Sequence, residues 1–240
     1  MSYLVDLRNL PVVSPAELIA GRHLVVVAPH PDDESLGVGG LLAAAQQLGT
    51  GVTVVFLTDG EASHVRSPTF PSERLGATRR TEARAALSAL GIPASSARFL
   101  GLGDSRLPFL GVDDAEEAMR QLREAVPTGS ALICVTADTD AHGDHKAASD
   151  LVQRVLWPDT VEVMHFPVWT WRAAESELPA VPPLGCRIDV TEFIPAKRRA
   201  VAAHRTQHGL VVTDAEEAFE LDPAFVDLFF GPLETLTWPT

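Results

Sequence analysis

Short apolar runs that alternate with longer helix-like segments constrain the fold of this chain more than any other feature. The runs are apolar throughout rather than at every second position, as in "HLVVVA" and "ALICVT". Such strands are buried on both faces, which indicates a parallel sheet covered by helices on both sides. We therefore predict an α/β fold with a Rossmann-like, mostly parallel sheet and an active site at the carboxyl ends of its strands. The predicted strands cover 23–28, 51–58, 97–102, 131–136, 161–166 and 186–190, and the longer helices cover 73–90, 113–125 and 142–156.

Size and composition favour one globular domain. The chain has 240 residues, of which 46% are hydrophobic and 21% are charged. We predict a single domain over 1–240, with a core at about 22–207. The apolar segment 208–240 is expected to pack on this core or to form an interface, which leaves a homo-oligomer open.

Charge and cysteine content exclude several classes of protein. The net charge of −13 disfavours nucleic-acid binding, because the phosphate backbone would be repelled. The two cysteines, Cys134 and Cys186, have no CxxC partner, which disfavours a disulfide framework or a thiolate metal site. No segment has the pattern of a signal peptide or a membrane span, so we predict a cytoplasmic protein.

Two polar clusters follow predicted strands directly. His30, Asp32 and Asp33 lie in "PHPDDE" after the strand at 23–28, and His142 and His145 lie in "DAHGDH" (140–145) after the strand at 131–136. His30, Asp33 and one of the later histidines would form a two-histidine, one-carboxylate metal site. Asp32 and the remaining histidine would then serve as acid and base in a hydrolysis.

Less specific explanations exist for each cluster. Asp33 or Ser35 can cap the helix that begins near residue 36, and "HGDH" can be a polar helix start. Capping needs one short polar side chain, however, and does not explain two His and Asp clusters at strand ends. Dinucleotide binding is rejected, because "LGVGGLL" lacks the G-x-G-x-x-G spacing and the neighbouring carboxylates would repel a pyrophosphate. These glycines are predicted to allow close packing of the helix on the sheet.

The two clusters resemble the motifs of the PIG-L (LmbE-like) family of metal-dependent deacetylases. "PHPDDE" at 29–34 is similar to the first family motif and "HGDH" at 142–145 to the second, although Gly143 stands where the family usually has proline. Weaker similarity extends through "TDGEAS", "RRTEARAALSALG" and "LGLGDSRL" to "KRRAVAAHRTQ", so that it covers roughly residues 22–207. The resemblance implies removal of an acetyl group from an N-acetylglucosamine-type amino sugar or conjugate.

The resemblance also implies roles for individual residues. Zinc, with Fe²⁺ or another divalent metal as alternatives, would be bound by His30, Asp33 and His145. Asp32 would be the general base. Protonated His142 would stabilise the oxyanion and protonate the leaving amine, with Asp144 as its electrostatic partner.

Further residues are weaker candidates for contact with the substrate. Asp104 follows a predicted strand, Arg66 lies in the loop after 51–58, and His204 belongs to a weak match with a family His-x-x-Gln pattern. The segment "FPVWTWRAAESELPAVPPLG" is predicted to be irregular. Its Trp169 and Trp171 would form a platform for a sugar ring, a lid, or an ordinary packing contact.

Two other classes of protein share part of this residue pattern. A non-haem iron oxygenase uses similar ligands but usually has His-x-Asp spacing on a β-barrel, whereas this chain has His-x-x-Asp in an α/β pattern. A non-catalytic metal-binding protein of the same fold has no need for Asp32 and His142. The predicted function is therefore a zinc-dependent deacetylase.

Overall fold

The predicted strands pair into one sheet in the computed structural model, which describes residues 2–239. Residues 1 and 240, which the predicted domain includes, lie outside the described part. The helices are α1 (Tyr3–Arg8), α2 (Pro15–Ile19), α3 (Asp33–Gln47), α4 (Ser72–Ala89), α5 (Val112–Ala125), α6 (Gly143–Arg154), α7 (Ile194–Ala203) and α8 (Pro223–Val226). The strands are β1 (Val12–Val13), β2 (His23–Ala28), β3 (Val52–Thr58), β4 (His64–Val65), β5 (Ala97–Leu102), β6 (Ala131–Thr136), β7 (Val161–Phe166), β8 (Gly185–Asp189), β9 (Glu217–Ala218) and β10 (Leu233–Thr237).

The main sheet has eight strands in the order β1-β8-β10-β7-β6-β2-β3-β5. Its pairs are parallel except for those of β10, which runs antiparallel between β7 and β8. The α/β prediction with a mostly parallel sheet is confirmed. The apolar tail contributes β10 to the interior of this sheet, a strand that the sequence analysis did not predict. β4 and β9 form a separate two-stranded ribbon.

Helices pack on both faces of the sheet. Leu24 and Val26 of β2 belong to a buried cluster with residues of α3, α4 and α7. Val25 and Val27 point to the other face and pack with residues of α5 and α6. Because both faces are covered, every position of the strand favours an apolar residue, which explains the continuous apolar run.

The glycines of α3 allow the close packing that the sequence predicted. A Cβ atom on Gly37 would lie 2.2 Å from the Phe166 ring, and one on Gly40 would lie 2.6 Å from Val190. Helical geometry is interrupted at Val38. The amides of Gly40 and Leu41 then donate to the buried Glu234 carboxylate of β10. The tail therefore helps to hold α3 in place.

The start of α2 and the segment after β7 have regular local structure. Ser14 and Glu17 form a capping box at the start of α2, in which they exchange side-chain and backbone hydrogen bonds. The segment after β7 includes two short 3-10 helices, Trp169–Arg172 and Glu175–Glu177, in place of the irregular chain that was predicted. Within residues 2–239, no helix is both long enough and apolar enough to cross a membrane.

Candidate active site

The two predicted clusters meet at the carboxyl edge of the sheet. β2 and β6 are neighbours, and the loops that follow them carry His30 and the histidines of "HGDH". The ring centroids of His30 and His142 are 4.8 Å apart, those of His142 and His145 5.0 Å, and those of His30 and His145 5.6 Å. Parallel topology therefore brings together residues that are more than a hundred positions apart in sequence.

Asp33 lies between two of these histidines. Its Oδ2 is 3.3 Å from Nδ1 of His30, and its Oδ1 is 3.3 Å from Nε2 of His145. Oδ2 also accepts the backbone N–H of His30 at 3.0 Å. Asp32, the residue at the N-cap of α3, makes no side-chain capping hydrogen bond. The carboxylate of Asp33 thus faces the histidines rather than capping the helix.

His145 supplies the test of whether a metal fits. Its Nε2 is buried and has no hydrogen-bond partner, while its Nδ1 lies 2.7 Å from Asp140. A carboxylate on one ring nitrogen and a free second nitrogen is the arrangement of a metal-binding histidine. Burial by itself would lower the pKa of His145, but Asp33 and Asp140 outweigh it and raise that pKa to about 9. The residues present therefore fit a divalent cation.

Further carboxylates surround His30. Asp144 Oδ2 lies 3.1 Å and Asp104 Oδ1 3.2 Å from its Nε2. Burial disfavours the charged ring, but Asp104, Asp144 and Asp33 together raise the pKa of His30 well above its usual value. Burial also opposes ionisation of Asp104, yet its contact with His30 lowers the pKa of that carboxyl to about 2. Among residues 2–239, two groups have their ligand atoms within 4.8 Å of one another: His30, His142 and His145, and His30, Asp104 and Asp144. The predicted ligand set of His30, Asp33 and His145 remains a prediction.

Asp32 has a strained backbone and a perturbed carboxyl group. Its φ of 141° lies in the region that favours glycine, and its buried side chain lines the cavity described below. One oxygen lies 3.3 Å from a guanidinium nitrogen of Arg79. Burial is the main cause that raises the pKa of Asp32 to about 6; Arg79 opposes the rise and Asp33 adds to it.

His142 is positioned by the start of α6. Its Nδ1 accepts the backbone N–H of Asp144 at 3.2 Å, so the proton of the neutral ring is on Nε2. Burial, followed by the charges of His30 and His145, lowers the pKa of His142 to about 4. The Asp144 carboxylate instead accepts the backbone N–H groups of Ser105 and Leu107 and contacts His30. The direct contact between Asp144 and His142 is therefore through the backbone.

Two residues of the site were missed by the sequence analysis. Arg79 is buried in α4 and donates to the carbonyl oxygens of Gly60 and Pro31 as well as contacting Asp32. One feature of the sequence could have indicated this: Arg79 lies four residues after Leu75, on the face of the helix that carries its apolar stripe. Asp140, which orients His145, belongs to the predicted cluster "DAHGDH" but was given no role there.

The three weaker candidates for substrate contact, Asp104, Arg66 and His204, differ in whether they line the cavity. Asp104 lines the cavity. Arg66 is 71% exposed and pairs with Glu216 at 2.8 Å, and it does not line the cavity. His204 is buried, with its Nε2 3.2 Å from Glu34, whose other oxygen accepts the backbone N–H of Asp32. The geometry thus gives Arg66 and His204 no contact with the cavity.

A cavity of about 400 Å³ opens beside the cluster. Its buried end includes His30, Asp32 and Asp33. Trp169 lines the side wall, whereas Trp171 does not line the cavity and lies under the guanidinium of Arg8. The remaining wall is largely apolar and includes Leu36, Val65, Val168, Phe219, Leu221 and Phe225.

The fold and the cluster define an α/β protein with a group of histidines and carboxylates that could hold a metal ion, placed at the carboxyl edge of a mostly parallel sheet and open to a cavity. Residues 25–156 match the model of the PIG-L family, described as GlcNAc-PI de-N-acetylase. The match covers more than half of the chain, and the chain belongs to this family.

Named relatives cover most of the chain. A Bacillus anthracis protein named as a probable N-acetyl-alpha-D-glucosaminyl L-malate deacetylase 2 is 29% identical over 90% of this chain and 91% of its own length. A 1D-myo-inositol 2-acetamido-2-deoxy-alpha-D-glucopyranoside deacetylase of Actinosynnema mirum is 32% identical over 79% of this chain and 82% of its own length.

Solved structures share the fold at lower identity. The N,N'-diacetylchitobiose deacetylase from Pyrococcus horikoshii has a TM-score of 0.65 at 17% identity, over 91% of this chain and 84% of that one. The 4-carboxy-2-hydroxymuconate hydratase GalB of Pseudomonas putida has a TM-score of 0.60 at 21% identity, over 79% and 81%. Since the fold carries both a deacetylase and a hydratase, the reaction must be inferred from the site.

Proposed function

We propose that this chain is a metal-dependent hydrolase that removes the acetyl group from an N-acetylglucosamine-type conjugate. The observation that carries the proposal is the buried Nε2 of His145, which makes no hydrogen bond and lies 3.3 Å from Asp33, a residue that lines the buried end of the cavity together with His30 and Asp32. The names of the two relatives support an amino sugar conjugate as the substrate. In this proposal His30, Asp33 and His145 hold zinc or another divalent metal.

A divalent metal held by His30, Asp33 and His145 would supply Lewis acidity, which would polarise the amide carbonyl and lower the pKa of a water molecule. Asp32 takes the proton from the attacking water. A pKa of about 6 leaves this carboxyl mostly ionised at neutral pH and still basic enough to accept a proton. Arg79 holds the carboxylate through its guanidinium, so that the base is oriented before the substrate arrives.

His142 is assigned as a hydrogen-bond donor to the oxyanion. Its neutral ring carries the proton on Nε2, because Nδ1 accepts the amide of Asp144. The sequence analysis instead expected a protonated His142, whereas burial and the neighbouring histidines favour the neutral form. The proton for the leaving nitrogen is then the one that Asp32 took from water. Water is consumed, the amide C–N bond breaks, and the products are acetate and a free amine.

Acetate release tests this proposal. Purified protein loaded with one equivalent of zinc is incubated with a panel of N-acetylglucosamine conjugates, beside Asp32→Asn with the same metal content. We expect the variant to keep its metal and to lose about 10²- to 10⁴-fold in turnover. Undiminished turnover in zinc-loaded Asp32→Asn would refute the assigned base. The absence of acetate from every conjugate, with zinc bound to the wild type, would contradict the deacetylase function.

A further inference from the structure

The cavity has a wall that the proposed chemistry does not use. The aromatic wall, defined here as Trp169, Phe219 and Phe225, lines one side of the cavity. Trp169 stacks on Phe225 with ring centroids 4.7 Å apart, and Phe219 meets Trp169 edge to face at 5.9 Å. Phe225 is buried, whereas Phe219 is 39% exposed. The wall therefore extends from the protein core to the rim of the cavity.

This wall is held in place by the residues that support the metal site. The Asp140 carboxylate, which contacts His145, also accepts the backbone N–H groups of Val168 and Thr170 on either side of Trp169. On the opposite side of the wall, the N–H of Phe219 donates to the carbonyl oxygen of Ser63 at 2.8 Å. Trp169 and Phe219 are thus preorganised beside the cluster, which lowers the entropic cost of binding a ligand against them.

Charge limits what this wall can bind. Four carboxylates line the described part of the cavity, those of Asp32, Asp33, Asp104 and Glu217, and Arg79 is the one Lys or Arg among the described lining residues. The Arg79 guanidinium is already engaged by Asp32 and two backbone carbonyls. Nearby Arg66 is paired with Glu216 outside the lining. Among these residues, no free cation is available to pair with a carboxylate or phosphate of the ligand.

We propose that the aromatic wall binds an uncharged, apolar aglycone of the amino sugar, in contrast to the malate that appears in the name of one relative. This inference rests on the proposed deacetylase function. The acetamide must reach the buried end beside His145 and Asp32, so the group farthest from it lies toward the exposed rim at Phe219. An acetyl methyl group is too small to contact three aromatic rings. Trp169 and Phe219 are specificity-determining residues for the aglycone.

The test compares three substrates that share one sugar. We would measure kcat/KM of the zinc-loaded enzyme for phenyl N-acetyl-α-D-glucosaminide, for its L-malate counterpart and for free N-acetylglucosamine. We expect the phenyl glycoside to exceed the malate conjugate by at least about tenfold, because an aromatic group gains ring contacts, whereas the malate carboxylates find no free Lys or Arg among the described lining residues. Preference for the malate conjugate would overturn the proposal.

Two variants test whether the preference for the phenyl aglycone depends on Phe219. Phe219→Ala should lose about tenfold in kcat/KM on the phenyl glycoside and clearly less on free N-acetylglucosamine. Phe109→Ala serves as the matched control, because Phe109 is 76% exposed and does not line the cavity. Equal losses on both substrates in Phe219→Ala would refute an aglycone site.

A binding measurement separates failure of this inference from failure of the proposed reaction. Zinc-loaded Asp32→Asn, with and without Phe219→Ala, is titrated with phenyl N-acetyl-α-D-glucosaminide and with the malate conjugate by calorimetry. Tighter binding of the phenyl glycoside that depends on Phe219 would support the aglycone site even if the wild type released no acetate. Equal affinity for the two ligands would overturn the aglycone site whatever the turnover.

Discussion

The carboxylate of Asp140 lies 2.7 Å from Nδ1 of His145, and the other nitrogen of that ring faces Asp33. Both residues are fully buried, and Asp140 also accepts hydrogen bonds from Val168 and Thr170. One carboxylate therefore orients a candidate metal ligand and fixes the loop that carries Trp169. The candidate metal ligand His145 and the part of the cavity wall formed by Trp169 therefore share this support.

Asp140→Asn is expected to weaken zinc binding by about 10- to 100-fold, because the amide cannot orient the imidazole or raise its basicity as a carboxylate does. The dissociation constant would be measured by competition with a chelator. Asp150→Asn is the control, since Asp150 is exposed on the same helix, α6. Equal zinc affinity in Asp140→Asn and the wild type would contradict the role of Asp140.

Metal binding is expected to release protons. His145 must give up the proton on Nε2 to bind a metal, and its pKa of about 9 in the metal-free protein means that this proton is present at neutral pH. Zinc affinity should therefore rise about tenfold per pH unit for each proton released between pH 6 and 8. Calorimetry in buffers of different ionisation enthalpy would count the protons. A zinc affinity that does not change over this range would contradict the pairing of His145 with Asp33 and Asp140.

The same shift predicts how the stability of the metal-free protein depends on pH. The pKa of His145 is higher in the folded chain than the ordinary value of 6.5 that it takes when unfolded. Its ion pairs therefore stabilise the fold fully below pH 6.5, and this contribution disappears as the pH rises through about 9. We expect the midpoint of thermal unfolding to fall over this window, and His145→Gln to reduce the fall. An identical pH dependence in the variant would show that other groups cause it.

Arg79 is expected to be a positioning residue for the general base. Arg79→Lys keeps the charge but cannot reach Asp32 and the carbonyl groups of Gly60 and Pro31 together, because it lacks the planar fork. We expect kcat to fall about tenfold, with zinc content unchanged. The adjacent Arg80→Lys is the control, because Arg80 is partly exposed and pairs with Asp59. A variant that changed KM alone would argue for substrate binding instead.

Glu234 is expected to matter for stability rather than for chemistry. It pairs with buried Lys197 at 2.7 Å and accepts the amides of Gly40 and Leu41. Glu234→Ala would leave a buried ammonium and two amides without an acceptor, and should lower the free energy of unfolding by about 3–5 kcal/mol. Chemical denaturation measures this change. The exposed Glu192→Ala should stay within about 0.5 kcal/mol of the wild type.

Much of the fold could be predicted from local sequence. The strands at 23–28, 97–102, 131–136 and 161–166 have the predicted bounds, and α4, α5 and α6 differ from their predictions by one or two residues. Apolar runs and helical stripes extend over a few consecutive residues, so they report local structure well. The meeting of His30 with His142 and His145 was also predictable, because parallel strands place their carboxyl ends at one edge.

The roles of Arg79, Asp140 and β10 could not be predicted in this way. Arg79 and Asp140 have partners that lie close only after the sheet has formed. β10 has an apolar tail sequence that fits either a surface contact or a strand. Its insertion between β7 and β8 depends on pairing with residues that lie 44 to 72 positions earlier in the chain, from Leu233 with Asp189 to Thr237 with His165.

The sequence by itself determined the alternation of strands and helices, the edge of the sheet that carries the site, and the His and Asp side chains available there. The tertiary structure decided which oxygen faces which nitrogen and which aromatic rings line the cavity. The reason is physical: backbone propensity and hydrophobic periodicity act between near neighbours in the chain. Hydrogen bonds, burial and pKa values depend on groups that only long-range packing brings together.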